Sequence, residues 1–375
     1  MGDVTVGDYF DSKPWRRVAS TVLKRSLGLR RGQSVIIETW SYTLRAAEIL
    51  AVEARRLGIR PLILHVTDGS FFEAQKTASP SDANALGGVE LAAAEASDGY
   101  IMIPPSNRDV WRRDELSTAH QRAYELRRSE WHQALLRHRV PSIHFVAAVP
   151  SAVEARLYGV KLQTWQRENV SSSLVPPSRI RREAKPLIQR LLKGQRLTIT
   201  HPNGTHLELG LLKRRPYLID DGRVDRRDMR EGWLGTVVPG GFTGVVLDDR
   251  IADGVIISNR RAYSHRHPVT GIRWKFREGR LVQYSVGTGA KYYTKEYRRA
   301  GPERDRPAYL QIGLNPEIHD SPFVDDQELG VVGVEIGHND DMGGRTKGTF
   351  RQYALIGGAD VSVDGHPLLR KGRRV

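Results

Sequence analysis

Two short segments near the C-terminal end combine residue types that can exchange protons close to neutral pH. His319 is followed directly by Asp320, and a histidine that a carboxylate orients can act as a general acid or base. Glu335 and His338 follow within the segment GVEIGHNDDMGG. That segment is also typical of a turn, because Asn, Asp and Gly favour turn conformations. The four residues are therefore candidate catalytic groups, with a simple turn as the competing interpretation of the second pair.

The histidines His265 and His267 have the spacing that directs two side chains to one face of a strand. Two imidazoles can begin a metal site, but such a site needs further ligands. No carboxylate motif accompanies the pair. A solvent-facing strand or loop is the preferred explanation, and no metal is predicted there.

Several other chemistries have no residues to support them. The chain contains no cysteine, which excludes disulfides, thiolate ligands and a cysteine nucleophile. It has neither a Walker-type phosphate loop nor a GxGxxG motif after a strand, and GTGAK at 287–291 lacks the required spacing. No cofactor is therefore expected.

The formal net charge of +15 attracts anionic partners such as nucleic acid, acidic lipid or an acidic peptide. Basic residues cluster at 16–25, 179–185 and 370–374. An arginine-rich surface without a dedicated binding face is the simpler explanation of these clusters. Nucleic acid is not favoured, because no stacking motif or recognition helix is evident.

Composition and segment lengths indicate a globular protein without a membrane span. Hydrophobic residues make up 39% of the chain and charged residues 27%, as is usual for soluble domains. No run approaches the roughly 20 apolar residues that a bilayer span requires. The start, MGDVTVGDYF, lacks the pattern of a secretion signal, so a cytoplasmic location is the default expectation.

The first part of the chain alternates between strand and helix signals. The apolar runs QSVIIET, PLILHV, GYIMIP and PSIHFV are separated by helical stretches, which predicts a parallel sheet covered on both faces. Gly58 follows a helical stretch with basic residues in its last turn, so it is predicted to form a left-handed helix cap. A layered α/β domain is predicted for residues 1–172, with the domain change near the polar segment SSSLVPPS.

Beyond Gln195 the pattern changes to short strands with closely spaced turn signals, such as THLELGLL, GVIIS, IRWKF and ADVSVDG. Alternating polar and apolar residues describe strands with one buried face. Residues 173–375 are therefore predicted to form a curled, β-rich, barrel-like domain.

The order of these segments resembles the aminopeptidase T family of metallopeptidases over nearly the whole chain. The segments that carry the resemblance include SLGLRRGQSVIIE, the VVPGG turn, FREGRLVQYS, and IGLNPEI followed by GVVGVEIGHNDDMGG. The resemblance implies a Rossmann-like N-terminal domain, a β-rich C-terminal domain that carries the active site, and a homodimer.

Members of that family bind two divalent ions through glutamates, histidines and an aspartate, and this sequence has other residues at the matching positions. Those residues are Phe242, Ala308 with Tyr309, Gly333, and the run Phe350, Arg351 and Gln352. Iron-dependent ring-cleaving dioxygenases share the scaffold and also need His and carboxylate ligands at the later positions. The resemblance therefore implies the fold without the metal chemistry of either group.

The residues at these positions suit the binding of a peptide. Phe242 and Tyr309 offer aromatic faces for a side chain, while Arg345 and Arg351 offer forked donors to a carboxylate, with Gln352 beside them. The same residues could instead fill the vacated space as core. The sequence thus predicts a peptide-binding cleft between the two domains, with core packing as the competing interpretation.

Three classes of function follow from these observations. The preferred one is a metal-free peptide-binding protein that holds or tailors a precursor peptide, in the manner of degenerate aminopeptidase-like proteins of crocagin-type ribosomal peptide biosynthesis. An acidic precursor would suit the +15 charge. A peptide-modifying enzyme, a hydrolase or cyclase, that uses the four acid–base candidates is the alternative, and a nucleic-acid-binding protein is the third class.

Overall fold

The computed structural model describes residue 10 and residues 12–105, 116–264, 267–348 and 350–375. Its helices are α1 (Lys13–Thr21), α2 (Leu44–Arg56), α3 (Asp68–Thr77), α4 (Pro80–Ala83), α5 (Gly88–Glu95), α6 (Thr118–Arg137), α7 (Ala152–Tyr158), α8 (Leu162–Ser173), α9 (Pro177–Lys193), α10 (Arg226–Glu231) and α11 (Ala290–Arg299). Its strands are β1 (Ser34–Trp40), β2 (Arg60–Val66), β3 (Gly99–Met102), β4 (Ser142–Phe145), β5 (Arg196–His201), β6 (Thr205–Leu211), β7 (Tyr217–Asp220), β8 (Gly235–Val238), β9 (Phe242–Ile257), β10 (Ala262–Ser264), β11 (His267–Val269), β12 (Arg273–Arg277), β13 (Arg280–Ser285), β14 (Pro307–Gly313), β15 (Val331–Gly337), β16 (Arg351–Gly357), β17 (Asp360–Val363), β18 (His366–Arg370) and β19 (Arg373–Arg374). No helix within these ranges is both long enough and apolar enough to cross a membrane.

The chain divides into two compact units. The α/β unit comprises Met1–Leu174 and Gly222–Gly240, and the β-rich unit comprises Val175–Asp221 and Gly241–Val375. The expected division assigned the segment Gly222–Gly240 to the second domain, whereas in the structure this segment belongs to the α/β unit. It joins the first unit because its strand β8 pairs in parallel with β4.

The described sheet of the α/β unit is parallel throughout, in the order β2-β1-β3-β4-β8. Val35 and Ile37 pack into a core with α1 and α2 on one face. Ile36 and Tyr100 pack into a second core with α6 on the other face. Burial on both faces explains the continuous apolar run of β1, and the helices on the two faces confirm the predicted layered α/β architecture.

The end of α2 confirms the predicted glycine cap. Gly58 has φ +73°, and its N–H donates to the carbonyl of Arg55 at 2.9 Å. The next residue, Ile59, donates to Ala54 at 2.8 Å. This pattern satisfies the last carbonyls of the helix and places the left-handed residue where glycine has no steric penalty.

The β-rich unit is built around the long strand β9, which pairs antiparallel with β14 and β7 at its first half and with β6 and β12 at its second. Strands β15 and β16 extend the sheet beyond β14. Helix α9 packs Ile180, Ala184, Leu187 and Leu191 into the core of this unit. The large, mainly antiparallel sheet confirms the predicted β-rich domain.

Candidate functional site

Three neighbouring strands of the β-rich unit place Tyr309, Glu335 and Tyr353 side by side. Glu335 of β15 is paired with Tyr309 of β14 and with Tyr353 of β16. The residues that alternate with them belong to the main core, namely Leu310, Val334 and Ala354. Since successive side chains of a strand point to opposite faces, the two tyrosines and the glutamate share the opposite face of the sheet.

Glu335, His338 and Arg351 are brought together at one end of this face. Arg351 Nε lies 3.4 Å from Glu335 Oε2, and Arg351 Nε and Nη2 donate to the carbonyl oxygen of His338 at 3.3 and 3.2 Å. His338 Nδ1 lies 3.2 Å from Asp340 Oδ1. Arg351 therefore neutralises a buried carboxylate and fixes the segment that follows β15.

Tyr309 lies in the protein interior. Its side chain is 2% exposed and packs with Leu212 and Val246, with the half-buried Phe242 at the edge of the cluster. A β-carbon added at Gly244 would lie 2.5 Å from the ring, so this glycine makes room for it. Burial, together with the negative charges of Glu335 and Asp220, raises the pKa of Tyr309 well above its usual value. Tyr309 and Phe242 are adjacent, but Tyr309 occupies a core position.

The other two predicted peptide-binding residues lie in different surroundings. Gln352 is 3% exposed, and its Oε1 accepts the N–H of Tyr353 at 3.1 Å. It lines a small cavity of about 150 Å³ together with Arg351. Arg345 is exposed. Its charge helps to lower the pKa of Asp248, although the hydrogen bond from Arg250 is the main cause of that shift.

The pair His319 and Asp320 lies in an exposed loop. Asp320 Oδ1 accepts from Arg261 Nη2 at 2.7 Å, and the same nitrogen lies 3.0 Å from Asp325 Oδ1. Tyr263 OH donates to Asp325 Oδ2 at 2.5 Å. Asp320 is thus the exposed end of an ion-pair network that runs into the protein, and it is separate from the contacts of Glu335.

This network contains a functional candidate that the sequence did not reveal. Burial raises the pKa of Asp325 to about 7, although Arg261 and Tyr263 both act to lower it. Burial also raises the pKa of the adjacent Asp326 to about 6, although a hydrogen bond from Gln311 acts to lower it. Carboxyl groups with pKa values near neutrality are suited to proton transfer at physiological pH. The segment FVDDQ gave no signal for this, because paired aspartates in a loop are usually solvated.

An open groove of about 530 Å³ lies elsewhere in the β-rich unit, and we call it the C-terminal groove. Its lining includes the glycines Gly313, Gly330, Gly357, Gly358 and Gly372 and the polar side chains of Glu183, Arg260, His319, Glu328, Lys371, Arg373 and Arg374. All of these glycines except Gly358 are buried, and a β-carbon added at Gly313 or Gly330 would lie 2.0 or 2.1 Å from a backbone oxygen of the protein itself, so they allow close packing of the chain around the groove. The volume falls within the range of about 300 to 1,000 Å³ that is typical of ligand pockets.

The charged residues of the C-terminal groove are only partly neutralised. Arg260 forms a forked pair with Glu328 at 3.0 and 2.9 Å, and Arg374 Nε lies 3.3 Å from Glu183 Oε2. In the described part of the chain, the side chains of Lys371 and Arg373 form no ion pair. Two cations of the groove are therefore available to an anionic ligand.

The described side chains do not supply the ligand set of a metal centre. Among the residues that the structure describes, no three His, Asp or Glu side chains group closely enough to hold a metal ion. His265 lies outside the described residues, whereas His267 is 3% exposed and stacks on Tyr292 with ring centroids 3.3 Å apart. Burial and stacking explain His267 as a packed residue, where a solvent-facing strand or loop was expected.

Comparison with solved structures shows which fold this is. The chain is similar to AmpT from Thermus thermophilus, with a TM-score of 0.73 and 15% identity over 97% of this chain and 99% of AmpT. It is also similar to 2,5-dihydroxypyridine dioxygenase from Pseudomonas putida KT2440, with a TM-score of 0.63 and 15% identity over 100% of this chain and 98% of the other. No protein-family model and no curated protein matches the sequence. The chain therefore has an aminopeptidase T-like fold, while identity at this level does not assign its activity.

Proposed function

We propose that this protein binds a peptide on an aminopeptidase T-like scaffold and does not work as a metallo-aminopeptidase. The observation that carries the proposal is the C-terminal groove, which combines a ligand-sized volume of about 530 Å³ with two cations that form no ion pair in the described part of the chain, Lys371 and Arg373. The two cations can bind carboxylates of an acidic peptide. The lack of a three-ligand cluster among the described side chains supports the second half of the proposal.

The role proposed for this binding is to hold or tailor a precursor peptide in ribosomal peptide natural-product biosynthesis. An acidic segment of that peptide would be attracted by the formal charge of +15. This setting extends the resemblance to degenerate aminopeptidase-like proteins, and the similarity to AmpT supports it at the level of the scaffold.

A second candidate function is that of a peptide-modifying enzyme without a metal. Asp325, with its pKa raised to about 7, is the residue that favours it, because such a carboxyl group can both accept and donate a proton near neutral pH. In such an enzyme His319, on the lining of the C-terminal groove, would be the second acid–base group. The binding proposal does not depend on this chemistry.

Selection from a random decapeptide library, followed by calorimetry with a selected peptide, tests the binding proposal. The double variant Lys371→Gln/Arg373→Gln should bind about tenfold more weakly, since two exposed ion pairs are worth about 0.5 to 1 kcal/mol each. Arg370→Gln is the matched control: Arg370 carries the same charge, pairs with Asp360 at 3.1 Å and does not line the groove. If no peptide is enriched, or if the control loses as much affinity as the double variant, the groove is not the peptide site.

Hydrolysis of leucine p-nitroanilide tests the absence of peptidase activity. The substrate should stay intact after zinc or cobalt is added, because the described residues offer no ligand cluster for these ions. Turnover that a chelator abolishes and zinc restores would refute this part of the proposal.

A further inference from the structure

The α/β unit contains a cavity of about 580 Å³ at the amino ends of its parallel strands. Gln33, Asp98 and Pro141 line this cavity, and they directly precede β1, β3 and β4. Open α/β sheets usually bind their ligands outside the carboxyl ends of the strands. This amino-end cavity is therefore not the site that the fold itself would suggest.

The amino-end cavity is rich in arginine. The arginines on its lining are Arg25, Arg30, Arg139, Arg223 and Arg226. The two aspartates on the lining are engaged by local structure: Asp98 accepts the N–H of Ser34 at 2.8 Å, and Asp225 caps α10. In the described ranges, the side chains of Arg25, Arg30 and Arg226 form no ion pair or hydrogen bond. The cavity thus has an excess of positive charge with donors left over.

Arg139 is an exception to the way in which helices of this unit end. At several helix ends one residue is left-handed and donates to the carbonyl three residues back, while the next residue donates five back. Glycine takes this position at Gly58, Gly159 and Gly232, with φ values of +73°, +68° and +87°. At the end of α6 the position is taken by Arg139, with φ +53°.

Arg139 strains the backbone at this position, and its guanidinium group is held at the cavity lining. A side chain is disfavoured in the left-handed region, where glycine is not, and strain of this kind is concentrated at functional sites. Arg139 Nη2 donates to the carbonyl of Met229, another residue on the cavity lining. A guanidinium group has five N–H donors, so this bond fixes the group at the cavity and leaves other donors for a ligand.

We infer that the amino-end cavity binds a small ligand with two or more anionic oxygen groups, either phosphates or carboxylates. Guanidinium groups bind both kinds through paired hydrogen bonds. Leu27, Leu29 and Val140 also belong to the lining but are at most 7% exposed, so the arginines carry the recognition. No Phe, Tyr or Trp belongs to the lining within the described residues, so the stacking platforms of single-stranded nucleic acid binding are missing.

Calorimetry of the full chain with pyrophosphate and with citrate, in 150 mM salt to screen nonspecific attraction, tests this inference and distinguishes phosphate from carboxylate. At least one of the two should bind with saturation at one ligand per chain. Arg139→Gly and Arg226→Gln should each weaken that binding at least tenfold. Arg139→Gly should not lower the melting temperature, because glycine suits the backbone there.

Arg214→Gly is the matched control, since Arg214 is exposed, has φ +49° and lies in the β-rich unit. It removes one charge and one strained residue, and it should change the affinity less than twofold. An equal loss in this control would overturn the inference, as would the absence of binding by both anions. A lowered melting temperature of Arg139→Gly together with full binding by Arg226→Gln would overturn it as well, because Arg139 would then only stabilise α10 through the carbonyl of Met229. Binding of decathymidylate when neither anion binds would also overturn it.

Discussion

Replacing Asp325 with asparagine tests whether the β-rich unit holds a buried acid that titrates near neutral pH. The side chain of Asp325 is 5% exposed and lies between Tyr263 OH at 2.5 Å and Arg261 Nη2 at 3.0 Å. Burial raises its pKa to about 7 in spite of these two partners. Asparagine keeps the size of the side chain but cannot ionise.

The sign of the effect follows from the two protonation states. In the unfolded chain an aspartate titrates at its ordinary value of 3.8. Between about pH 4 and pH 7 the folded protein keeps a proton that the unfolded chain has released, so stability falls as pH rises through this window. At about 1.4 kcal/mol per pKa unit, the loss is about 4 kcal/mol, and above pH 7 it stays constant.

Urea unfolding of the wild type and of Asp325→Asn from pH 4.5 to 8.5 measures this loss. The free energy of unfolding of the variant, relative to the wild type, should rise by about 3 kcal/mol between pH 4.5 and pH 8. Asp320→Asn is the control, because Asp320 also contacts Arg261, at 2.7 Å, but is exposed. A constant difference between the wild type and Asp325→Asn at every pH would refute the assignment.

The remaining predictions concern the other residues of the candidate site and the assembly. Arg351→Ala should lower the free energy of unfolding by about 2 to 3 kcal/mol, because it removes the cation beside the buried Glu335; adding Glu335→Gln should restore much of the loss in the same urea titrations. Tyr309→Ala should cost about 3 to 4 kcal/mol by leaving a cavity. Tyr309→Phe should bind the library-selected peptide as the wild type does, and a large loss of affinity would show by calorimetry that the hydroxyl contacts the peptide. The protein should be a homodimer, as the resemblance implies, and light scattering that gives the mass of one chain at micromolar concentration would contradict this.

The elements of the α/β unit could be predicted wherever their signal is local. QSVIIET matches β1 (Ser34–Trp40), because a strand buried on both faces carries consecutive apolar residues, here Val35, Ile36 and Ile37. Strand β8 (Gly235–Val238) could not be assigned to this sheet. Its partner β4 is about 90 residues earlier in the chain, and a four-residue strand contains no information about its partner.

The candidate site could be predicted only in part, because its contacts depend on burial and register. The sequence predicts Glu335 as an acid–base group and Arg351 as a peptide-binding residue, yet the structure pairs the two side chains. The pairing follows from the register of β15 and β16, which the intervening loop conceals. The raised pKa of Asp325 depends on burial, which residue types in a loop do not reveal.

The effect of the net charge of +15 depends on which cations are paired with carboxylates in the folded protein. A cation held by a carboxylate contributes little to the field around the protein, whereas an unpaired one contributes fully. In the basic cluster at 179–185, Arg181 pairs with the buried Asp221, so that part of the cluster stabilises the fold. The clusters at 16–25 and 370–374 differ, because Arg25 lines the amino-end cavity and Arg373 lines the C-terminal groove, and neither has an ion-pair partner within the described residues. Anionic ligands are therefore expected at these two places, and each is tested by its own variants.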